Sequence, residues 1–348
     1  MMTPHAPRTG VLFALILVLS AAWHTNECHA QEETIIAGLI GRNATKIGNR
    51  AVFLMRPASE GRSNLYALDS GSTVPWPVLW SEDALRYVGR RPGMWVDPSS
   101  ERVVLDGAEQ EVVPGSSANV LVAVDLNSST AQVLVDNGRH NREPAFSPDG
   151  SKLAFYSARP NFQIDPDSSI EGFGVRVKDL RTGKEIEVAK PGFTFFFPSS
   201  PPAWSPDGEH LAFLSAYIPQ GRRHVPGILV CVVQPDGNGL RIFGENDKDS
   251  PRGACGVAWP EKHRILFTGG GRGICELDLR SGMIELKKAG NFRSPISTSP
   301  DRKFVRVGTD DPESGSVSSI VLSSNTLEEG RGETGHSFMG NWVYPGKR

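Results

Sequence analysis

The stretch from Glu143 to Ser157, EPAFSPDGSKLAFYS, occurs a second time almost unchanged, as PAWSPDGEHLAFLS from Pro202 to Ser215. In each copy a Ser-Pro-Asp-Gly turn separates two short runs rich in apolar residues. Proline fixes φ at the first position of the turn, and Asp and Gly accept the tight geometry that follows, so the sequence predicts strand, turn, strand. A phrase used twice in this way indicates a fold that repeats one unit.

Weaker copies extend the repeat over most of the chain. SPISTSPDRKFVRVGT from Ser294 is a degenerate version, and GMWVDPSSERVVLDG from Gly93 and ACGVAWPEKHRILFTGG from Ala254 keep an aromatic residue, a proline and a β-rich run. A second recurring turn, typified by Asp-Leu-Arg-Thr-Gly at Asp179, separates the third and fourth predicted strands of each copy. Together these corners predict six units: Thr34 to Trp80, Leu85 to Val135, Arg142 to Gly192, Pro198 to Gly244, Gly253 to Gly290 and Arg293 to Tyr344.

The second strand of each unit is apolar at successive positions, as in Leu-Ala-Phe-Leu from Leu211. A strand with one wet face alternates with polar residues, so both faces of these sheets are expected to be covered. Four-stranded sheets that repeat and pack face to face around an axis form a β-propeller. We therefore predict an all-β, six-bladed propeller over residues 34–345, with terminal segments that complete one blade. Two packed sandwich domains are the rival interpretation.

Composition and the N-terminal sequence limit the possible partners and the expected location of the protein. Lys and Arg number 37 against 39 Asp and Glu, which gives a net charge of -2 and no basic field for nucleic acid. Arg8, the apolar run from Val11 to Trp23 and a small residue at Ala30 are typical of a signal peptide over residues 1–30. We expect export to the periplasm or the medium with no membrane span after cleavage. An uncleaved N-terminal membrane anchor is the alternative.

The motif of an aromatic residue, Ser-Pro-Asp-Gly, two variable residues and Leu-Ala-Phe resembles the TolB-type, WD40-like propeller repeat. Phe146 to Ser157 and Trp204 to Ser215 match it closely. The resemblance implies the propeller fold. It leaves function broad, since this repeat serves periplasmic scaffolds, peptidase gating domains and sugar-degrading lyases.

A search for catalytic motifs finds none. The Asp of each Ser-Pro-Asp-Gly turn is interpreted as structural, because a hairpin corner needs that residue anyway. His140, His210, His224, His263 and His336 show no metal-binding spacing, and His210 and His263 are expected to be exposed. Cys231, Cys255 and Cys275 are interpreted as buried thiols. The sequence therefore predicts no catalytic residue, no metal and no cofactor.

Loop length supplies the functional prediction. Three loops expected on one rim are enlarged: Ala158 to Phe173, Lys190 to Pro201 and Ala216 to Gly227. Aromatic and Arg residues there are suited to anchoring a protein, peptide or glycan partner. The candidate binding residues are Arg159, Phe193, Phe195, Phe197, Tyr217, Arg222, Arg223 and His224.

Two alternatives stay open at this rim. The phenylalanines could simply pack beneath the loops. The chain could also be a polysaccharide lyase in which Arg159, Arg222 and Arg223 bind carboxylates and His224 acts as base or ligand.

Overall fold

The computed structural model of the chain describes its strands and most of its corners. The described residues are 44–47, 50–55, 64–69, 76–78, 93–97, 102–113, 116–159, 173–190, 200–215, 229–244, 254–269, 273–310, 317–329, 337–338 and 341–344. This part of the chain contains strands and turns. It includes no helix long and apolar enough to cross a membrane.

The strands of the first five units match those predicted from the repeat, whereas the end of the predicted sixth unit, Arg293 to Tyr344, joins the sheet of the first unit instead. The first unit contains β1 (Ala44–Ile47), β2 (Arg50–Met55), β3 (Asn64–Asp69) and β4 (Trp76–Pro77), and the second contains β5 (Gly93–Val96), β6 (Arg102–Val113), β7 (Ser116–Asp125) and β8 (Thr130–Val135). The third contains β9 (His140–Phe146), β10 (Lys152–Ala158), β11 (Gly174–Asp179) and β12 (Glu185–Ala189), and the fourth contains β13 (Ala203–Trp204), β14 (Leu211–Ser215), β15 (Leu229–Val233) and β16 (Arg241–Phe243).

The remaining strands complete the series. They are β17 (Ala254–Glu261), β18 (Arg264–Gly269), β19 (Gly273–Asp278) and β20 (Ile284–Ala289), then β21 (Phe292–Thr298), β22 (Phe304–Asp310) and β23 (Val317–Ser323), and finally β24 (Ser337–Phe338) and β25 (Asn341–Tyr344).

Sequence neighbours within each unit pair antiparallel. The fourth and fifth units are separate four-stranded sheets, and β21, β22 and β23 form a three-stranded one. The second and third units share one eight-stranded sheet, because β7 also makes a single parallel pair with β9 through Asn119 and His140. At the ends of the chain, β25 pairs parallel with β1 through Lys46 and Val343. The prediction that terminal segments complete one sheet is thus confirmed.

The Ser-Pro-Asp-Gly turns are built as the sequence predicts. The Ser147 hydroxyl donates to Asp149 Oδ1 at 2.5 Å, and its Oγ accepts the N–H of Lys152 at 2.9 Å. Ser205 and Asp207 repeat the bond at 2.6 Å, as do Ser299 and Asp301. Each carboxylate thereby closes its own turn, which confirms the structural interpretation of these Asp residues.

The core lies between adjacent units, as expected for sheets covered on both faces. Leu211 to Ser215 and Leu229 to Val233 are buried at every position. Phe155 is fully buried in a cluster that also holds Val104 and Leu121 of the second unit. Cys231 and Cys275 are buried, as predicted, whereas the side chain of Cys255 is not among those described.

One extension was not predicted. Strands β6 and β7 stay paired as far as Val113 and Ser116, which makes a long hairpin between the second and third strands of the second unit. The sequence predicts enlarged loops only in and between the third and fourth units. Most of those loops, together with residues 1–30, lie outside the described residues.

Candidate functional site

Each unit has two distinct ends. The Ser-Pro-Asp-Gly turns define a corner end, and the opposite end is here called the rim end. Register places the start of β9, the end of β10 and the start of β11 together at the rim end, since Asn141 pairs with Ser157 and Ser157 with Gly174. The predicted binding loops leave and enter the sheets at this end.

The candidate residues from the sequence are mostly outside the described part of the chain. Arg159 is described, follows β10 at the rim end and is exposed. The others, Phe193, Phe195, Phe197, Tyr217, Arg222, Arg223 and His224, lie outside the described residues. The binding prediction for those positions therefore stays a prediction.

Strand register brings three further basic residues to the same end as Arg159, a grouping that the sequence did not predict. Arg139 precedes β9, His140 and Arg142 lie within it, and β9 pairs with β10 directly before Arg159. The Nε of Arg139 donates to the Ser157 hydroxyl at 3.0 Å. Arg142 is half-buried and has no salt bridge to a described carboxylate. These four residues are named the rim cluster, and its three arginines put positive charge at one end of the third unit.

Hydrogen bonds from the buried side-chain amide of Asn141 hold the strand that carries the rim cluster. Asn141 is fully buried, and its Nδ2 donates to the carbonyl oxygen of Asn119 at 2.9 Å and to that of Arg139 at 3.1 Å. The same nitrogen lies 2.9 Å from Asn137 Oδ1. Because Asn119 belongs to β7, these contacts fix the start of β9 against the second unit.

Two acidic residues, Asp106 and Glu143, lie next to the Asn141 hydrogen bonds. Asp106 in β6 is 5% exposed, and its Oδ2 accepts the backbone N–H of Glu143 at 3.2 Å. Burial, and secondarily the nearby Asp106 carboxylate, raise the pKa of Glu143 to about 8, against the opposing effect of Arg142. Glu143 therefore holds its proton to a higher pH than an ordinary surface glutamate does.

Contacts inside the propeller bridge the fourth, fifth and sixth units. The Ser200 hydroxyl donates to the Ile296 carbonyl oxygen at 3.4 Å, and both side chains lie so close to Gly256 that a Cβ there would approach them to 2.9 Å. At the corner end Arg302 donates to the carbonyl oxygens of Trp204 and Trp259. These bonds tie the inner strands on this side together at both ends.

The histidines do not form a catalytic centre in the described residues. His210 and His263 are half-buried rather than exposed as predicted, and the ring of His210 lies 6.4 Å from that of Trp259. Asp207, Glu209 and His210 lie close enough together to hold a cation. Asp207 is already used by the Ser205 hydroxyl and the Glu209 N–H, so this group is explained as a corner.

The sheets and their repeat define the class: the chain has a β-propeller fold. An oligogalacturonate lyase in complex with manganese is 17% identical over 83% of this chain and 77% of its own, with a TM-score of 0.56. A puromycin-hydrolyzing peptidase from Mycobacterium tuberculosis is 18% identical over 89% of this chain and 49% of its own, with a TM-score of 0.55. TolB from Acinetobacter baumannii is 14% identical over 86% and 67%, with a TM-score of 0.48.

No protein-family model matches the chain, and no curated protein sequence matches it. The structural likeness confirms the propeller predicted from the Ser-Pro-Asp-Gly repeat. The lyase and the peptidase carry out different chemistry on this shared architecture, so the fold by itself does not assign an activity.

Proposed function

We propose that the chain is an exported, six-bladed β-propeller that binds a carboxylate-bearing protein, peptide or glycan at the rim end of its third blade. The predicted units are taken as blades, with the first one completed by β25. The observation that carries the proposal is the rim cluster, in which the register places Arg139, His140, Arg142 and Arg159 at the same end of the paired strands β9 and β10. The signal-like sequence of residues 1–30 supports export.

The chemistry of the rim cluster favours an anionic partner. Arginine binds carboxylates through two parallel hydrogen bonds, and such bonds are about twice as strong as neutral ones. Arg139 is already oriented by Ser157, and the anchor at Asn141 fixes the strand that carries His140 and Arg142. A site held in this way loses little entropy when a ligand binds.

Calorimetric titration tests the site with two probes, oligogalacturonate and poly-glutamate, against uncharged dextran. We expect binding to an acidic probe and a loss of about tenfold or more in affinity for Arg142→Gln or Arg159→Gln. Arg181→Gln is the matched control, because Arg181 is exposed at the corner between β11 and β12 of the same blade. Equal affinity in all variants, or no binding of either acidic probe, would reject the site.

A second candidate is a lyase acting on uronate-containing polysaccharide, and Glu143 is the observation that favours it. An acid with a pKa of about 8 is well placed to exchange protons near neutral pH. In such a reaction a base removes the proton next to the uronate carboxylate, the C–O bond to the leaving sugar breaks and a C=C bond forms. Arg142 and Arg159 would hold the carboxylate, and Glu143 would protonate the leaving oxygen.

Ultraviolet absorbance of the unsaturated product distinguishes the lyase from the binding protein. A lyase produces this absorbance with oligogalacturonate and loses it in Glu143→Gln while it still binds the probe. Binding without any unsaturated product supports the non-catalytic propeller. The His224→Ala variant tests the base predicted from the sequence.

A further inference from the structure

Asp106 and Glu143 belong to different units and meet across the boundary between them. Asp106 lies where the β6–β7 pairing shifts register, between Asp106 and Ala108. Its buried carboxylate accepts the N–H of Glu143 in β9. This bond therefore joins the second unit to the third beneath the rim cluster.

The backbone of Glu143 is held in a rare conformation. Its φ is 50°, in the left-handed region that residues with a side chain seldom occupy. The β9–β10 pairing is irregular at the same place, between Ala154 and Tyr156. The carboxyl group itself has no hydrogen bond to a described side chain. The surrounding structure thus fixes the position of Glu143 through its backbone and leaves its carboxyl group without a balancing charge in direct contact.

The ionisable neighbours of Glu143 come from three strands. Asp106 of β6 disfavours its ionisation, and the adjacent Arg142 favours it. Tyr156 of β10 is buried, and its pKa is raised by burial, by Glu143 and by Cys231 of β15. Strand β13, which also contacts β9, has no ionisable side chain, and the described Asp125 of β7 lies at the corner end.

We propose that Asp106 and Glu143 form a proton-controlled latch between the second and third units, closed while the Glu143 carboxyl group holds a proton and weakened when it ionises. Glu143 supplies both the attraction that closes the latch and the repulsion that weakens it. Its N–H attracts the Asp106 carboxylate, and its own carboxylate, once formed, repels it.

The direction of the effect follows from proton linkage. Opening exposes Glu143 to water, where its pKa returns towards 4.5, whereas the closed state keeps it near 8. Between these values the open form releases a proton that the closed form retains, so opening becomes easier as pH rises and levels off above about 8. Because β9 carries His140 and Arg142, the latch would also position the rim cluster, a consequence that rests on the proposed function.

Hydrogen exchange of the full chain, read by mass spectrometry and corrected for the intrinsic pH dependence of exchange, tests the latch without any ligand. In peptides containing Asp106 and Glu143 we expect protection to fall by about tenfold or more between pH 5.5 and pH 8. In Glu143→Gln the same peptides should show flat protection. Glu328→Gln, which changes an exposed glutamate in a corner, should behave like the unaltered chain.

Asp106→Asn provides an independent variant, since it keeps an acceptor oxygen and removes the charge. We expect a shallower pH dependence in this variant, because Glu143 then ionises at lower pH in the closed state. Flat protection in the unaltered chain, or an unchanged slope in both Glu143→Gln and Asp106→Asn, would overturn the latch. Neither result depends on whether oligogalacturonate or poly-glutamate binds.

Discussion

Glu143 lies in the middle of β9 and Asp149 lies in the turn that follows this strand, and their surroundings shift their pKa values in opposite directions. At the corner end, hydrogen bonds from the Ser147 hydroxyl and from the N–H and hydroxyl of Ser151 lower the pKa of Asp149 to about 2. Within the strand, on the rim side of that turn, burial and Asp106 raise the pKa of Glu143 to about 8. The Asp149 carboxylate accepts hydrogen bonds, whereas the Glu143 carboxyl group is desolvated and accepts no hydrogen bond from a described side chain.

This difference separates folding from function along the same strand. A carboxylate that closes its own turn stabilises the hairpin, and the pKa values of Asp125, Asp179, Asp207 and Asp236 at other corners are also lowered. An acid whose pKa is raised in this way is costly to ionise, and such acids are concentrated at sites of binding, catalysis or switching. The corner end is thus built for the fold, and the rim end is the place to look for function.

The largest expected effect concerns the core that both ends share. Phe155 is fully buried between the second and third units, so Phe155→Ala should lower the free energy of unfolding by about 3–5 kcal/mol. Urea denaturation measures the loss. Met283→Ala, at a position 58% exposed, is the control and should change little. A loss below about 1 kcal/mol for Phe155→Ala would mean that the two ends do not depend on this core.

The next effect is a gain at the rim end. Glu143→Gln removes the group whose folded pKa is raised, so the variant should become more stable than the unaltered chain as pH rises from about 5 to 8. The difference can grow by up to about 1.4 kcal/mol per pH unit and then becomes constant. Urea denaturation across this pH range measures it. Parallel stability curves for the two proteins would contradict the contrast between the ends.

A smaller effect of opposite sign is expected at the corner end. The folded pKa of Asp149 is lowered, so its contribution is present above the ordinary value of 3.8 and is lost as pH falls through about 2. Because this side chain is exposed, solvent screening limits the loss in Asp149→Asn to about 1 kcal/mol at pH 7. The same denaturation assay should find almost no difference near pH 2. If Asp149→Asn stabilised the protein at pH 7, the contrast between Asp149 and Glu143 would be wrong.

The corners were predictable from sequence because their chemistry is local. Ser, Pro, Asp and Gly each serve the turn in which they stand, so the strands around Phe146 and Lys152 follow directly from the phrase. The apolar second strands likewise required sheets covered on both faces. Short-range hydrogen bonds and burial patterns of this kind can be predicted from a single sequence.

The acid pair was not predicted because its members are brought together by register across two units. A signal was present in Asp106, an acidic residue at the end of the apolar run Val-Val-Leu. Its partner could not be found without knowing the irregular pairing that turns the Glu143 N–H towards it. The β6–β7 hairpin also has a turn signal in the sequence, Pro114-Gly115, but it lies outside the third and fourth units, where the enlarged loops are predicted.

Carboxyl carbon NMR of the full chain, labelled at Asp and Glu, tests the central contrast most directly. Glu143→Gln and Asp149→Asn assign the two signals, and their chemical shifts are followed with pH. We predict midpoints near pH 8 for Glu143 and near pH 2 for Asp149. Midpoints at the ordinary values of 4.5 and 3.8 would show that the surroundings of the two acids do not differ in this way, and would contradict the proposal that function lies towards the rim end.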